Sequence, residues 1–302
     1  MTQLLSLIAN PQKAPLSADA VNVARAAAMS LGASLDEGRW LSAGEAWSCR
    51  VDGLGGGLVS ALRLRLADQP VDVNLVADTG IRRLLLADMD STMIEQECID
   101  ELADVAGAGD KVRAITARAM NGELDFEDAL RERVATLANQ PVEVIAQVIS
   151  NRISLMPGGR ELIATMRANG AWCALVSGGF THFTAHVAVA LGFHEHHANV
   201  LVETGGMLTG TVAEPILGRD AKVAALKRIS AARGVSVADA ITVGDGANDV
   251  PMLKTAGLGV ALHAKPAVRE QVAVQLNHSD LTGLLFLQNV ARDEFVTSHA
   301  GS

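Results

Sequence analysis

Two short segments concentrate side chains able to do chemistry: Asp88 and Asp90 in DMDST (88–92), and Asp245, Asn248 and Asp249 in GDGAND (244–249). In near-extended chain, residues two apart project to one side, so Asp88 and Asp90 would share a face with Met89 turned away. Two carboxylates so close repel each other unless a cation or a shared proton relieves them. A hard divalent ion with oxygen ligands, Mg²⁺ by this chemistry, would do so, and Asp245 with its neighbours could complete the ligand set. Each segment also has a structural reading. The first could be an Asp-rich turn with Ser91 or Thr92 capping a helix, the second a tight Asp-Gly turn.

Two further features suit an anion. Ser177-Gly178-Gly179 joins a hydroxyl to glycines whose backbone N–H groups can approach a charged oxygen ahead of a helix. Lys222 opens a helical pattern and lies on its apolar stripe with Leu226 and Ile229, where a cation opposes the helix dipole. It could hold a phosphate as a point charge. The structural alternatives are a Gly-rich turn and a surface lysine with a snorkelling stem.

These residues need elements that aim them. Residues 84–87 form an apolar run that ends at Asp88 and reads as a buried strand. Residues 172–176 read as a strand ahead of Ser177, 180–191 as a helix, and 199–203 with 207–212 as a hairpin around Gly205-Gly206. Residues 222–233 read as a helix, 240–243 as a strand ahead of Gly244, 250–256 as a helix and 258–262 as a strand. Strands alternating with helices imply an α/β doubly wound parallel sheet, with ligands beyond the carboxyl ends of its strands. Residues 94–153 are polar with helical periodicity, interrupted by Pro141 and closed by Met156-Pro157-Gly158-Gly159, so a helical insertion at about 94–155 is expected. Ahead of all this, residues 1–80 read as strand, helix, two strands, helix and strand. The helix has Ser17 as its N-cap, Gly55 to Gly57 break the chain, and residues 77–80 form a linker. That order predicts a separate small ferredoxin-like α+β unit at 1–80, with the core at 81–302.

The chain has 302 residues, 49% hydrophobic and 20% charged, enough apolar material for one large domain or two modest ones. A net charge of -9 argues against nonspecific binding to nucleic acid or anionic membranes. Cys49, Cys98 and Cys173 lack metal-ligand spacing and read as buried thiols in a reducing compartment. No apolar run reaches membrane-spanning length, and no basic segment precedes a signal-length apolar stretch, so a cytoplasmic protein is expected. His194, His196 and His197, around Glu195, read as a surface connection. His182 and His186 share a helix face without a third ligand, and the tail from Thr297 reads as frayed.

Taken together and in this order, DMDST, Ser177, Lys222 and GDGAND resemble the four signatures of the haloacid dehalogenase superfamily, over 84 to about 285. MIEQECIDELA (93–103), MNGELDFEDALRERV (120–134), SGGF (177–180) and GDGANDVPM (244–252) are similar to the wording of its phosphoserine phosphatase family. The resemblance makes 94–155 a cap over the site, and residues 1–80 look like the small ACT-like domain of some bacterial members. It also leaves open a homodimer through that domain.

The resemblance implies roles. Asp88 would be the nucleophile and Asp90 the general acid and base, its pKa raised by burial and the neighbouring phosphate. Mg²⁺ would be held by Asp88, Asp245 and the backbone carbonyl of Asp90, with Asp249 in support. Ser177, Gly178, Lys222 and Asn248 would bind the phosphoryl group. Glu97 would take the substrate ammonium and Arg133 its carboxylate, beside an apolar wall of Met120 and Phe126. Hinges are expected near 92–93 and 156–159. The competing readings are a related enzyme for another small phosphomonoester, and an amino-acid sensor at 1–80 with a vestigial phosphatase core.

Overall fold

The structure, a computed structural model, describes residues 2–53, 57–120 and 123–297, apart from the side chain of Met120. Gly55 and Gly56 of the expected chain break and the tail at 298–302 lie outside the described residues. Among the described residues, no helix is long and apolar enough to cross a membrane. The chain forms two compact units, one from Met1–Leu85, Pro157–Trp172 and Ala238–Ser302, the other from Leu86–Met156 and Cys173–Val237.

The first seven elements are β1 (Gln3–Ala9), α1 (Ala18–Ser30), β2 (Ser34–Leu35), β3 (Arg39–Ser42), β4 (Ala46–Asp52), α2 (Leu58–Arg65) and β5 (Val71–Ala77). Their strands make an antiparallel sheet in the order β2-β4-β1-β5, with β3 also on β4. Ser17 caps α1 by accepting the N–H of Ala20 at 3.1 Å. Ala20, Ala24, Ala27 and Ala28 then form a buried stripe at helical spacing, packed with Leu5, Leu7, Trp47, Leu58, Leu62 and Val73.

The opposite face of this sheet is also covered. Leu4, Ser6 and Ile8 of β1 are buried, as are Asp72 and Asn74 of β5. Asn74 donates to the carbonyl of Gln275 and accepts its N–H, both at 2.8 Å. Asp72 accepts the N–H groups of Asn277 (2.7 Å), His278 (3.1 Å) and Ser279 (3.0 Å). Burial pushes the Asp72 carboxyl pKa up, and the three N–H bonds oppose that push.

The chain continues with β6 (Leu84–Ala87), α3 (Cys98–Val105), α4 (Gly109–Met120), α5 (Phe126–Ala135), α6 (Glu143–Arg152) and α7 (Gly159–Ala168). Next come β7 (Trp172–Phe180), α8 (Thr181–Leu191), β8 (Glu195–Asn199), β9 (Leu201–Thr204), β10 (Met207–Val212) and α9 (Arg219–Arg233). The last elements are β11 (Ala240–Gly244), α10 (Val250–Thr255), β12 (Leu258–Leu262), α11 (Pro266–Arg269), β13 (Val274–Leu276) and α12 (Gly283–Phe286). The order β13-β12-β11-β6-β7-β8 makes a six-stranded sheet, parallel from β11 to β13 and between β7 and β8. This is the expected α/β architecture, and the sequence of strands reverses direction between β6 and β11.

In the second unit, α3 to α6 form the expected helical insertion. Its two ends pair: Met156 N donates to Met93 O at 2.9 Å, Glu95 N to Ser154 O at 3.0 Å, and Ile94 bridges Leu155. Arg118–Glu132 (2.7 Å) ties α4 to α5, and Arg152–Glu101 (2.9 Å) ties α6 to α3.

Three expectations are corrected. His196 and His197 lie on β8, a sheet strand, and His194 sits just before it, its ring accepting the N–H of Cys173 at 3.0 Å; the segment is no surface connection. Ser177-Gly178-Gly179 is part of β7 where its register with β8 shifts, not a turn after the strand. The hairpin's first strand starts at Leu201, because Asn199 closes β8.

Asp72→Ala would leave three inward N–H groups without their acceptor. We expect a loss of about 2–5 kcal/mol in urea denaturation, with Asp72→Asn milder. A loss below about 0.5 kcal/mol would contradict this account of the buried face.

Candidate active site

Strand β6 is apolar and fully buried, and it delivers Asp88 at its end with 5% exposure. One oxygen, Oδ1, accepts the N–H of Met89 at 2.8 Å and the ammonium of Lys222 at 2.7 Å. Lys222 is itself 1% exposed. Neither charge is tolerable in such a place without its partner. Helix α9 begins at Arg219, not at Lys222 as expected, so Lys222 stands in its first turn with Asp220. The helix N-terminus disfavours a cation there, and the carboxylate of Asp88 offsets that.

The backbone after Asp88 winds around one carbonyl. Met89 O accepts the N–H groups of Thr92, Met93 and Ile94 at 3.2, 2.8 and 3.1 Å. Ser91 takes a left-handed φ of 52°, uncommon for a residue with a side chain. Its hydroxyl donates to Glu97 Oε1 at 2.7 Å. Neither Ser91 nor Thr92 caps the next helix. Glu97 occupies the N-cap of α3 without a side-chain bond, and Asp90 Oδ1 accepts the N–H of Cys98 at 2.9 Å instead.

The other Asp90 oxygen accepts from Ser177 Oγ at 3.1 Å, and Ser177 Oγ in turn accepts the N–H of Gly179 at 2.8 Å. Glycine keeps this bend clear: a Cβ on Gly179 would lie 2.6 Å from Asp90 Oδ2 and displace that carboxylate, and one on Gly178 would lie 3.0 Å from the ring of Phe126, a tight contact. Phe126 also packs on Gly218, where a Cβ would lie 3.4 Å away. It opens α5 behind the N-cap Asp125, which accepts the N–H of Asp128 at 2.8 Å. Met120 ends α4, and its side chain lies outside those described.

Arg133 is half-buried, and its Nε donates to the carbonyl of Ala129 at 3.2 Å. Burial lowers its pKa, while Asp100, Glu97 and Asp90 oppose the shift. The guanidinium therefore lies in the field of three carboxylates. Asp100 was not among the expected residues. Its own pKa is raised, first by burial, and Arg133 pulls it back. Cys98 beside it is a buried spectator, its thiol pKa pushed well up by burial and then by Asp90. Cys49 is pushed up to about 12, chiefly by burial.

Behind β11, Asp249 is fully buried and accepts the N–H of Gly246 at 3.0 Å through Oδ2. A Cβ on Gly244 would meet Asp249 Cγ at 2.4 Å and its Cβ at 2.7 Å, so that glycine is dictated by close approach, while one on Gly246 would meet the end of the Asn248 side chain, at 2.2 Å. In the first unit, Asp245 and Asp249 bring one carboxylate oxygen each within 4.8 Å of the other. Carboxylate oxygens with no nitrogen or sulfur beside them are ligands that suit a hard divalent cation. The Asp90 carboxylate has its oxygens on Cys98 N and Ser177 Oγ.

The model of haloacid dehalogenase-like hydrolases matches residues 85–254. This chain belongs to the haloacid dehalogenase-like hydrolase family. It is 44% identical to a phosphoserine phosphatase of Mycobacterium tuberculosis over 250 residues, 82% of this chain and 61% of that protein. It therefore spans about three fifths of that relative's length. It is also 44% identical to a phosphoserine phosphatase of Streptococcus thermophilus, covering 67% of this chain and 93% of the relative. A crystal structure of a probable phosphoserine phosphatase from Vibrio cholerae, unliganded, superposes with a TM-score of 0.78 at 31% identity, covering 97% of this chain and 88% of the other.

In this haloacid dehalogenase-like hydrolase, Lys222→Met should strand the Asp88 carboxylate without its ion pair. We expect a loss of about 3–5 kcal/mol in urea denaturation with metal chelated. A loss of under about 1 kcal/mol would contradict the pairing.

Proposed function

We propose that the chain hydrolyses O-phospho-L-serine to L-serine and phosphate through an aspartyl-phosphate on Asp88, the last step of serine biosynthesis. The observation that carries the reading is the buried Asp88–Lys222 pair with the Asp90–Ser177 bond two residues on. It supports reading these four side chains as a nucleophile, a cation, a proton carrier and a hydroxyl donor acting together. The similarity to phosphoserine phosphatases supports the substrate.

In this reading a carboxylate oxygen of Asp88 attacks phosphorus and the bond to the serine oxygen breaks. Asp90 gives its proton to the departing alkoxide. It then takes a proton from the water that attacks the aspartyl-phosphate, and phosphate leaves with the Asp88 carboxylate restored. Ser177 Oγ, the N–H of Gly178, Lys222 and Asn248 hold the non-transferring oxygens. Asp88, Asp245 and the carbonyl of Asp90, supported by Asp249, would hold Mg²⁺, which supplies charge neutralisation at the phosphoryl oxygens when bound. Arg133 takes the substrate carboxylate, Glu97 its ammonium, and Met120 with Phe126 the apolar wall. The electrostatic grouping of Arg133 with Glu97 and Asp100 supports this division.

The same reading assigns residues 1–80 to an ACT-like domain and 81–302 to the phosphatase core, with its cap at about 94–155, in a cytoplasmic protein. It also assigns a homodimer through 1–80, where Met29, Trp40 and Leu64 expose apolar side chains. The alternative is a related enzyme for another small phosphomonoester, which has no use for both Glu97 and Arg133.

Phosphate release from L-phosphoserine with Mg²⁺ tests the reading. Asp88→Asn should lower turnover by about 10³-fold or more, and chelation should abolish it. Arg133→Leu should raise KM for phosphoserine by about 10- to 100-fold, with little change for an aryl phosphate that has no amino-acid head. Equal turnover of phosphoserine and unrelated phosphomonoesters would overturn the specificity.

A further inference from the structure

Asn199 closes β8 at 3% exposure and bridges two segments of the second unit. Its Oδ1 accepts the N–H of Leu217 at 2.6 Å, and its Nδ2 donates to the carbonyl of Gly178 at 2.8 Å, with a longer contact to Leu217 O at 3.4 Å. The amide can sit only one way round, because the Leu217 N–H only donates and the Gly178 carbonyl only accepts.

The peptide linking Gly178 to Gly179 needs such a clamp. It joins two glycines, the residues with the widest choice of backbone angles. It also lies where the register of β7 against β8 shifts between Val176 and Phe180. A larger residue would restrict the backbone but would press on Phe126 at 178 or displace the Asp90 carboxylate at 179.

A trans peptide directs its carbonyl and its N–H to opposite sides. With the Gly178 carbonyl fixed on Asn199, the Gly179 N–H is aimed at Ser177 Oγ, 2.8 Å away. Ser177 Oγ, having accepted that bond, donates onward to Asp90 Oδ2 at 3.1 Å. The bonds run one way: amide to carbonyl, N–H to hydroxyl, hydroxyl to carboxylate. Each polarises the next.

We infer that Asn199 is a positioning residue that orients the Ser177 hydroxyl through the Gly178–Gly179 peptide. This rests on the reading above, in which that hydroxyl holds a phosphoryl oxygen. Through Leu217 the same amide also fixes the segment entering α9, the helix of Lys222. One side chain thus sets the spacing of two phosphate-binding groups.

A double-mutant cycle on L-phosphoserine hydrolysis tests the inference. Asn199→Ala should lower kcat/KM by about 10- to 100-fold alone, and by less than about 3-fold when Ser177 is already Ala. Asn199→Asp keeps an acceptor for Leu217 but loses the donor, and should fall with Asn199→Ala. An equal penalty in both Ser177 backgrounds, or parental activity in Asn199→Asp, would overturn it.

If the parent protein does not turn over phosphoserine, the proposed function fails, and the inference is then judged by amide exchange of Gly179. Exchange should be slow in the parent and at least about tenfold faster in Asn199→Ala. Should that variant not fold, Asn199→Asp carries the same comparison. Unchanged exchange would overturn the inference.

Discussion

A lysine and an aspartate that have both left water hold each other at the end of β6, and much of the second unit serves to keep them there. Lys222 Nζ sits 2.7 Å from Asp88 Oδ1 with both side chains almost wholly buried. Desolvating either charge alone would cost several kcal/mol by any estimate, so the pair is a condition of folding as well as a feature of the site. It dictates an apolar β6 to bring the carboxylate in, and a helix that starts where the lysine can reach it. Close backbone lies nearby as well. Gly178 and Gly218 both yield room to Phe126, and Gly179 yields room to Asp90.

The second carboxylate is treated differently. Asp90 is only partly buried and its two oxygens are divided between the first N–H of α3 and the hydroxyl of Ser177. Two like charges two residues apart are thus separated by function of their surroundings. One accepts from an ammonium and a backbone N–H, the other from a backbone N–H and a hydroxyl. That asymmetry supports the proposed division of roles between a nucleophile and a proton carrier.

Much of this was legible because buried parallel strands leave short apolar runs that stop abruptly at polar residues. Asp88, Ser177 and Asp245 were found by that stop, and Lys222 by its place on an apolar stripe. What escaped has physical reasons. Strand β8 is rich in histidine and half-exposed, so its pairing with β7 left no apolar signature. The start of α9 was set too late because Gly218-Arg219-Asp220 carries no apolar period, although an acidic first turn was there to be read. Nothing in the sequence marks Asp100 off from other helix charges; its interaction with Arg133 appears only in the fold. Asn199 looked like the start of a hairpin. In the first unit, strand β5 is read without its polar residues, yet Asp72 and Asn74 are buried and bonded to the 275–279 segment. A buried hydrogen-bonded carboxylate and an exposed one look the same in sequence.

The central claim is that Asp88 becomes covalently attached to phosphorus. Acid-quenching the enzyme during turnover of phosphoserine, reducing the acyl phosphate with borohydride and mapping peptides by mass spectrometry would test it directly. The account predicts conversion of the residue at position 88, and no other, to homoserine. Full turnover with position 88 unmodified, or modification at Asp90 instead, would contradict it.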